Sequence, residues 1–102
     1  MERIGPSPWE ESLTQSEPTP ISQFLYEEAV ARIGRFGKAV ADLEAGKESV
    51  CAAKIARSSA DTALFRCARS TDCSTHYLDE LRKLSKTSRG YVQRLKAVGV
   101  AE

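Results

Sequence analysis

Apolar residues recur along most of this chain at the spacing of one helix face. Tyr26, Ala29, Ile33, Phe36, Val40 and Leu43 follow one another by 3, 4, 3, 4 and 3 residues, and Leu25 and Val30 widen the stripe. That recurrence is the seam of an amphipathic α-helix. Thr19 offers a capping hydroxyl, and Pro20 has the fixed φ that suits a first turn. Gly46 supplies the left-handed residue that ends the helix, so it is predicted over about residues 20–45.

A second segment, about residues 48–70, contains neither proline nor glycine. On a helical wheel Ala52, Ala53, Ala56, Ala60, Ala63, Leu64 and Cys67 form one smooth face. Lys54, Ser58, Asp61 and Arg69 lie opposite, with Ile55 and Phe65 at the margins. Gly34 and Gly37 lie inside the first helix, where each costs about 1 kcal/mol relative to alanine. Close approach of the alanine face is the expected compensation. The run from Ser70 to Thr75 is predicted as a polar break with several candidate N-caps, and a third helix follows over about residues 75–98. Its seam starts from Leu78 and runs through Leu81, Leu84, Ser88, Tyr91, Leu95 and Val98, with a polar residue in the middle. Asp79 and Glu80 stand in its first turn and the basic residues come later, as the helix dipole prefers.

No strand pattern competes. The fold class expected is all-α, an antiparallel three-helix bundle over residues 20–99 after an acidic, proline-rich tail over residues 1–19. The tail is expected to be disordered or loosely packed, because Ile4, Trp9 and Leu13 are all it has to bury. Helices of roughly 24 residues are about 36 Å long. Tyr26, Phe36 and Phe65 are the aromatic residues expected at core positions of the first two helices. So lean a core is expected to leave an apolar groove for a partner helix, a second copy or a lipid-like chain.

Composition changes the picture only when it is read by segment. The whole chain of 102 residues has a formal charge of +1, which speaks against binding nucleic acid through bulk charge. Residues 1–20 carry a net −3, residues 47–70 a net +3 and the remainder beyond residue 70 a net +2. An acidic front thus precedes a basic back, and the front can fold over the basic surface or leave it to an acidic partner. Trp9, followed by Glu10, Glu11 and Leu13, reads as a short docking motif, as a side chain packed back on the domain, or as a solvated one. The tail lacks the apolar core of a signal peptide and is too acidic for a mitochondrial transit peptide. No run is long enough to span a membrane.

Candidate chemistry is sparse. His76 is the sole histidine, placed at the start of the third helix with Asp72, Cys73 and Asp79 near it in sequence. A Cys73–His76 dyad is possible by spacing, but capping or exposure is the plainer role for this histidine. Cys67, Cys73 and His76 match no closed metal-ligand pattern and lack a fourth ligand. Three cysteines are too few, and odd in number, for a disulfide scaffold. Cys51 and Cys67 point to nearly opposite sides of one helix, and all three are read as small buried or neutral residues in a reducing compartment. No catalytic residue, metal or cofactor is nominated.

Two resemblances follow from particular residues. Leu25-Tyr26, Phe36 ten residues on, and Phe65-Arg66 before a polar break and a last helix resemble the LYR-motif family, although Glu27 stands where that motif has arginine. The resemblance implies a small three-helix mitochondrial factor that binds acyl carrier protein. Its groove would be lined by Leu25, Tyr26, Phe36 and Phe65, with Arg66 among the polar contacts. Residues 19–46, with Thr-Pro, Leu-Tyr-Glu and a closing Ala-Gly, are similar to the flagellin-specific export chaperones, which wrap a disordered partner segment.

The function expected is therefore a non-enzymatic helical interaction module: an adaptor, assembly factor or small subunit. The partner-binding residues expected are Leu25, Tyr26, Ile33, Phe36, Val40, Phe65 and Arg66. A basic face of Arg82, Lys83, Lys86, Arg89 and Arg94 would steer acidic partners. The partner is another protein or a second copy, in the cytoplasm or the mitochondrial matrix. The contrasting reading is a nucleic-acid regulator that uses that basic face.

Overall fold

A computed structural model describes residues 18–100 of the chain. Among these residues every regular element is helical: α1 (Pro20–Glu44), α2 (Val50–Arg69), α3 (Thr71–His76) and α4 (Leu78–Ala97). The expectations for residues 1–17, Trp9 included, lie outside the described residues.

Local chemistry sets the ends. The Thr19 hydroxyl accepts the Ser22 N–H at 3.1 Å, and the Ser49 hydroxyl accepts the Ala52 N–H at 3.1 Å. Both are N-caps, and the second starts α2 at Val50 rather than at residue 48. Past the end of α1, Gly46 has φ +75°, its N–H reaches the Leu43 carbonyl, and the Lys47 N–H reaches that of Asp42. This is a Schellman closure. The same closure recurs past α4, where Gly99 has φ +89° and Val100 N–H bonds the Leu95 carbonyl. There Val100 folds back into the cluster that contains Leu95, the apolar contact that accompanies this motif.

The expected break between the second and third helices is confined to Ser70, and the polar residues after it are helical. The Ser70 hydroxyl caps Cys73 N–H at 3.2 Å, and the Ser74 and Thr75 hydroxyls donate back to the Thr71 carbonyl. Polar side chains that bond their own backbone read as a loop in sequence and here close a single helical segment. The chain leaves helical geometry at Ser70, where φ is −76° and ψ 121°, between α2 and α3, and again at Tyr77, whose φ of −120° and ψ of 25° separate α3 from α4. The third predicted helix is thus two, and His76 ends α3 rather than starting the long helix.

Contacts give the chain directions. Arg32 in α1 donates to Ser59 in α2, while Thr19 and Ser22 at the start of α1 meet Asp72 just past the end of α2, so α1 and α2 run antiparallel. Tyr26 meets Tyr77, Phe36 meets Tyr91 and Glu44 meets Arg94, so α4 runs alongside α1 in the same sense. The main core collects Ile33, Phe36 and Val40 of α1, Ala53 and Ala60 of α2, and Leu95 with Val100. A smaller cluster of Cys67, Cys73 and Leu81 sits at the other end, with Tyr26 and Tyr77 against it. Ser88 is buried at its seam position. Leu78 and Val98, expected on that seam, are half exposed. The bend at Tyr77 and the stop at Ala97 take them off the buried face.

The glycine expectation needs a correction. A Cβ on Gly37 would lie 2.5 Å from Tyr91 Cζ, so this glycine admits the Tyr91 ring of α4 rather than the alanine face of α2. Gly34 faces open space. The alanine face does pack inward, with Ala53, Ala60, Ala63 and Cys67 buried.

Candidate functional site

The seven expected partner-binding residues separate into two groups. Ile33, Phe36 and Val40 are buried inside the protein's own core. Phe36 is edge-on to Tyr91, with centroids 5.5 Å apart. Tyr26 is half-buried and stacks on Tyr77 at 4.2 Å between centroids. These four side chains are engaged internally. Phe36, which the LYR resemblance places on a groove wall, closes against α4 instead.

Leu25, Phe65 and Arg66 come together at the surface. They line, with Thr62 and Arg69, an open groove of about 500 Å³ on the outer side of α2. Phe65, expected in the core, is 60% exposed. Its helix position explains why: Ala60, Ala63 and Cys67 take the buried arc, and Phe65 falls on the far side of it. The Arg69 guanidinium lies over its ring, 5.4 Å from the centroid, a cation–π contact at an exposed site. Neither Arg66 nor Arg69 has an acidic partner among the described residues. Phe65 also forms a wall of a second depression, between α2 and α4, with Asp61, Leu64, Ala68, Leu81 and Ser85. Ile21 and Phe24, in the first turns of α1, are exposed as well.

The expected basic face is interrupted. Arg82 lies 3.9 Å from Asp79, and Arg94 reaches across to donate from Nε and Nη2 to the two carboxylate oxygens of Glu44. That hydrogen bond holds the Glu44 carboxyl below its ordinary range and raises Arg94. Lys83, Lys86 and Arg89 are exposed and remain as the basic surface of α4.

The residues nearest to catalytic chemistry form a structural knot. Asp72 Oδ2 accepts from Thr19 N–H at 3.1 Å, from the Thr19 hydroxyl at 2.7 Å and from the Ser22 hydroxyl. His76 Nδ1 lies 3.0 Å from Asp72 Oδ1 and 3.0 Å from its carbonyl oxygen. The Ser22 and Thr19 bonds pull the Asp72 carboxyl down to about 2. Ser22 is buried at 1% exposure and spends its proton on the carboxylate. A serine activated for attack needs a base on that proton, and here the acceptor is a carboxylate that is already saturated. The arrangement is an N-cap supplied from another helix, anionic and placed at the positive end of α1.

Two of the three cysteines depart from the expectation of small, unpaired residues. Cys67 and Cys73 form a disulfide with Cα atoms 5.6 Å apart, joining the end of α2 to the middle of α3, and both are buried. Neither is therefore a thiolate for a Cys73–His76 dyad or for a metal, and no group of candidate ligands forms a metal site among the described residues. Cys51 is exposed and free. The extended backbone at Ser70, between the two helices, lets the pair come within bonding range. Disulfides persist in oxidising environments, so the cysteines give no support for a reducing compartment.

Tyr77 is pushed up by burial, and by Glu27 and other negative neighbours. No helix among the described residues is long and apolar enough to cross a membrane. Comparison of the chain with protein-family models, with curated proteins and with solved structures finds no match.

Proposed function

We propose that this protein is a non-enzymatic helical interaction module, an antiparallel bundle that holds an acidic, apolar segment of another protein in the groove of Leu25, Phe65, Arg66 and Arg69. One observation carries the reading: a large aromatic side chain stands 60% exposed in a groove with Leu25, beside two arginines that have no acid to pair with among the described residues. A phenylalanine in that setting has apolar area to bury, and the arginines supply orientation and bidentate contacts to carboxylates. An adaptor, an assembly factor or a small subunit would all work in this way. The α4 surface of Lys83, Lys86 and Arg89 would assist by drawing acidic partners in.

The test is isolation of the tagged protein from its own cells, followed by mass measurement of the intact complex. A companion in fixed stoichiometry that is lost with Phe65→Ser and with Arg66→Glu/Arg69→Glu is the expected result. Retention of the companion by both variants would overturn the reading. Loss only on charge reversal of Lys83, Lys86 and Arg89, with a steep dependence on salt, would point to nucleic acid instead.

A further inference from the structure

The groove has a candidate occupant within the same chain. Beyond the described residues, the sequence preceding α1 contains Trp9-Glu10-Glu11-Ser12-Leu13, two apolar side chains bracketing two carboxylates. The groove presents the converse pattern, an apolar floor of Leu25 and Phe65 next to Arg66 and Arg69. Reach permits the match. The described chain begins at residue 18, and Leu25, seven residues later, is about 10 Å further along the helix. Pro18 follows Trp9 by nine positions, enough for about 30 Å of extended chain. Charge points the same way, since residues 1–20 carry a net −3 and residues 47–70 a net +3.

We infer that the segment Trp9–Leu13 docks in the groove formed by Leu25, Phe65, Arg66 and Arg69, with an apolar side chain on Phe65 and with Glu10 and Glu11 on the arginines. This rests on the reading of that groove as the binding face and adds its regulation. The protein's own segment covers the face until an acidic, apolar partner segment displaces it. The local concentration of a tethered segment is in the millimolar range. A partner must therefore bind more tightly than a weak peptide, which makes the segment a filter on partner choice.

Trp9 is the sole tryptophan in the chain, so its fluorescence in the full-length protein reports the docking directly. The expected result is a blue-shifted emission with low acrylamide quenching. Phe65→Ser and Arg66→Glu/Arg69→Glu should each shift it to the red and raise the quenching constant severalfold, with unchanged helical circular dichroism. Because groove variants perturb the bundle itself, a second pair is made on the segment: Glu10→Lys/Glu11→Lys should expose Trp9, and combining it with Arg66→Glu/Arg69→Glu should restore the shielding. A Trp9 that is solvent-exposed in the unaltered protein overturns the inference, as does a shielded Trp9 that ignores both groove variants. Shielding that appears only at concentrations where the mass doubles overturns it in favour of a second copy. Partner binding on the same groove variants is a separate readout. Retained partner with a responsive Trp9 defeats the proposed function alone, and lost partner with an indifferent Trp9 defeats the docking alone.

Discussion

The two ends of this molecule are held by different physics. Toward the end of α1, Phe36 and Val40 are buried with Leu95, Val100 and the alanines of α2, two glycine closures turn the chain, and the Arg94–Glu44 pair clasps the outside. Toward its beginning the apolar cluster is small, and a disulfide, a stacked tyrosine pair and the bonds to Asp72 make up the difference. The first end relies on area removed from water, which is indifferent to pH and to thiols. The second relies on a covalent bond and an ionised carboxylate, and both can be taken away by solution conditions alone. A chain with few large side chains can therefore be stable at both ends and still have one end that responds to its surroundings.

The largest effect should come from the apolar end. Phe36→Ala removes a fully buried ring and is expected to cost about 3–5 kcal/mol in urea denaturation. Replacing both Cys67 and Cys73 by serine, or reducing the bond, should cost about 2 kcal/mol for so short a closed loop. Its mark is location: amide exchange should quicken in α3 and the first turn of α1 and stay unchanged around Leu95. Equal acceleration at both ends would break the comparison.

Acid sharpens it further. The Asp72 carboxyl sits at about 2 in the folded protein against an ordinary 3.8, so its contribution is complete above about pH 4 and is lost as pH falls through about 2. Asp72→Asn should remove that pH dependence and lower the melting temperature at pH 7, leaving the slope of stability with pH below 4 flatter than in the unaltered protein. A variant with the original slope would show that other carboxylates carry it.

The smallest effects distinguish two glycines that look alike in sequence. Gly37→Ala pushes a methyl into the Tyr91 ring, and overpacking of about 1–3 kcal/mol outweighs the gain in helix propensity. Gly34→Ala meets nothing and should stabilise by about 1 kcal/mol. Thermal denaturation of the pair tests both; a stabilised Gly37→Ala would mean that the Tyr91 ring moves aside without cost.

These particulars divide what periodicity can show from what it cannot. The seam from Tyr26 to Leu43, the alanine face, the Thr19-Pro20 opening and the Gly46 stop are local properties of spacing and backbone freedom, and the helices stand where those signals place them. Spacing within one helix says nothing about which neighbour a residue meets. The partner of Gly37, the bond between Cys67 and Cys73, the Asp72 cap on a helix fifty residues away and the outward Phe65 are facts of assembly. Asp72 is the clearest instance. In sequence it belongs to a run of polar residues that reads as a break, and only the packing of α3 beside the start of α1 turns it into the cap that holds them together.

By itself, the sequence determined that this chain is helical, roughly where each long helix starts and stops, and that its front is acidic and its back basic. All of these follow from properties carried by residues a few positions apart. Tertiary structure decided which aromatic residues are core and which are surface, and so it moved the candidate site from the middle of α1 to the outer side of α2. The reason is geometric: a helix has one buried arc, and how wide that arc is and what it faces are set by the helices packed against it.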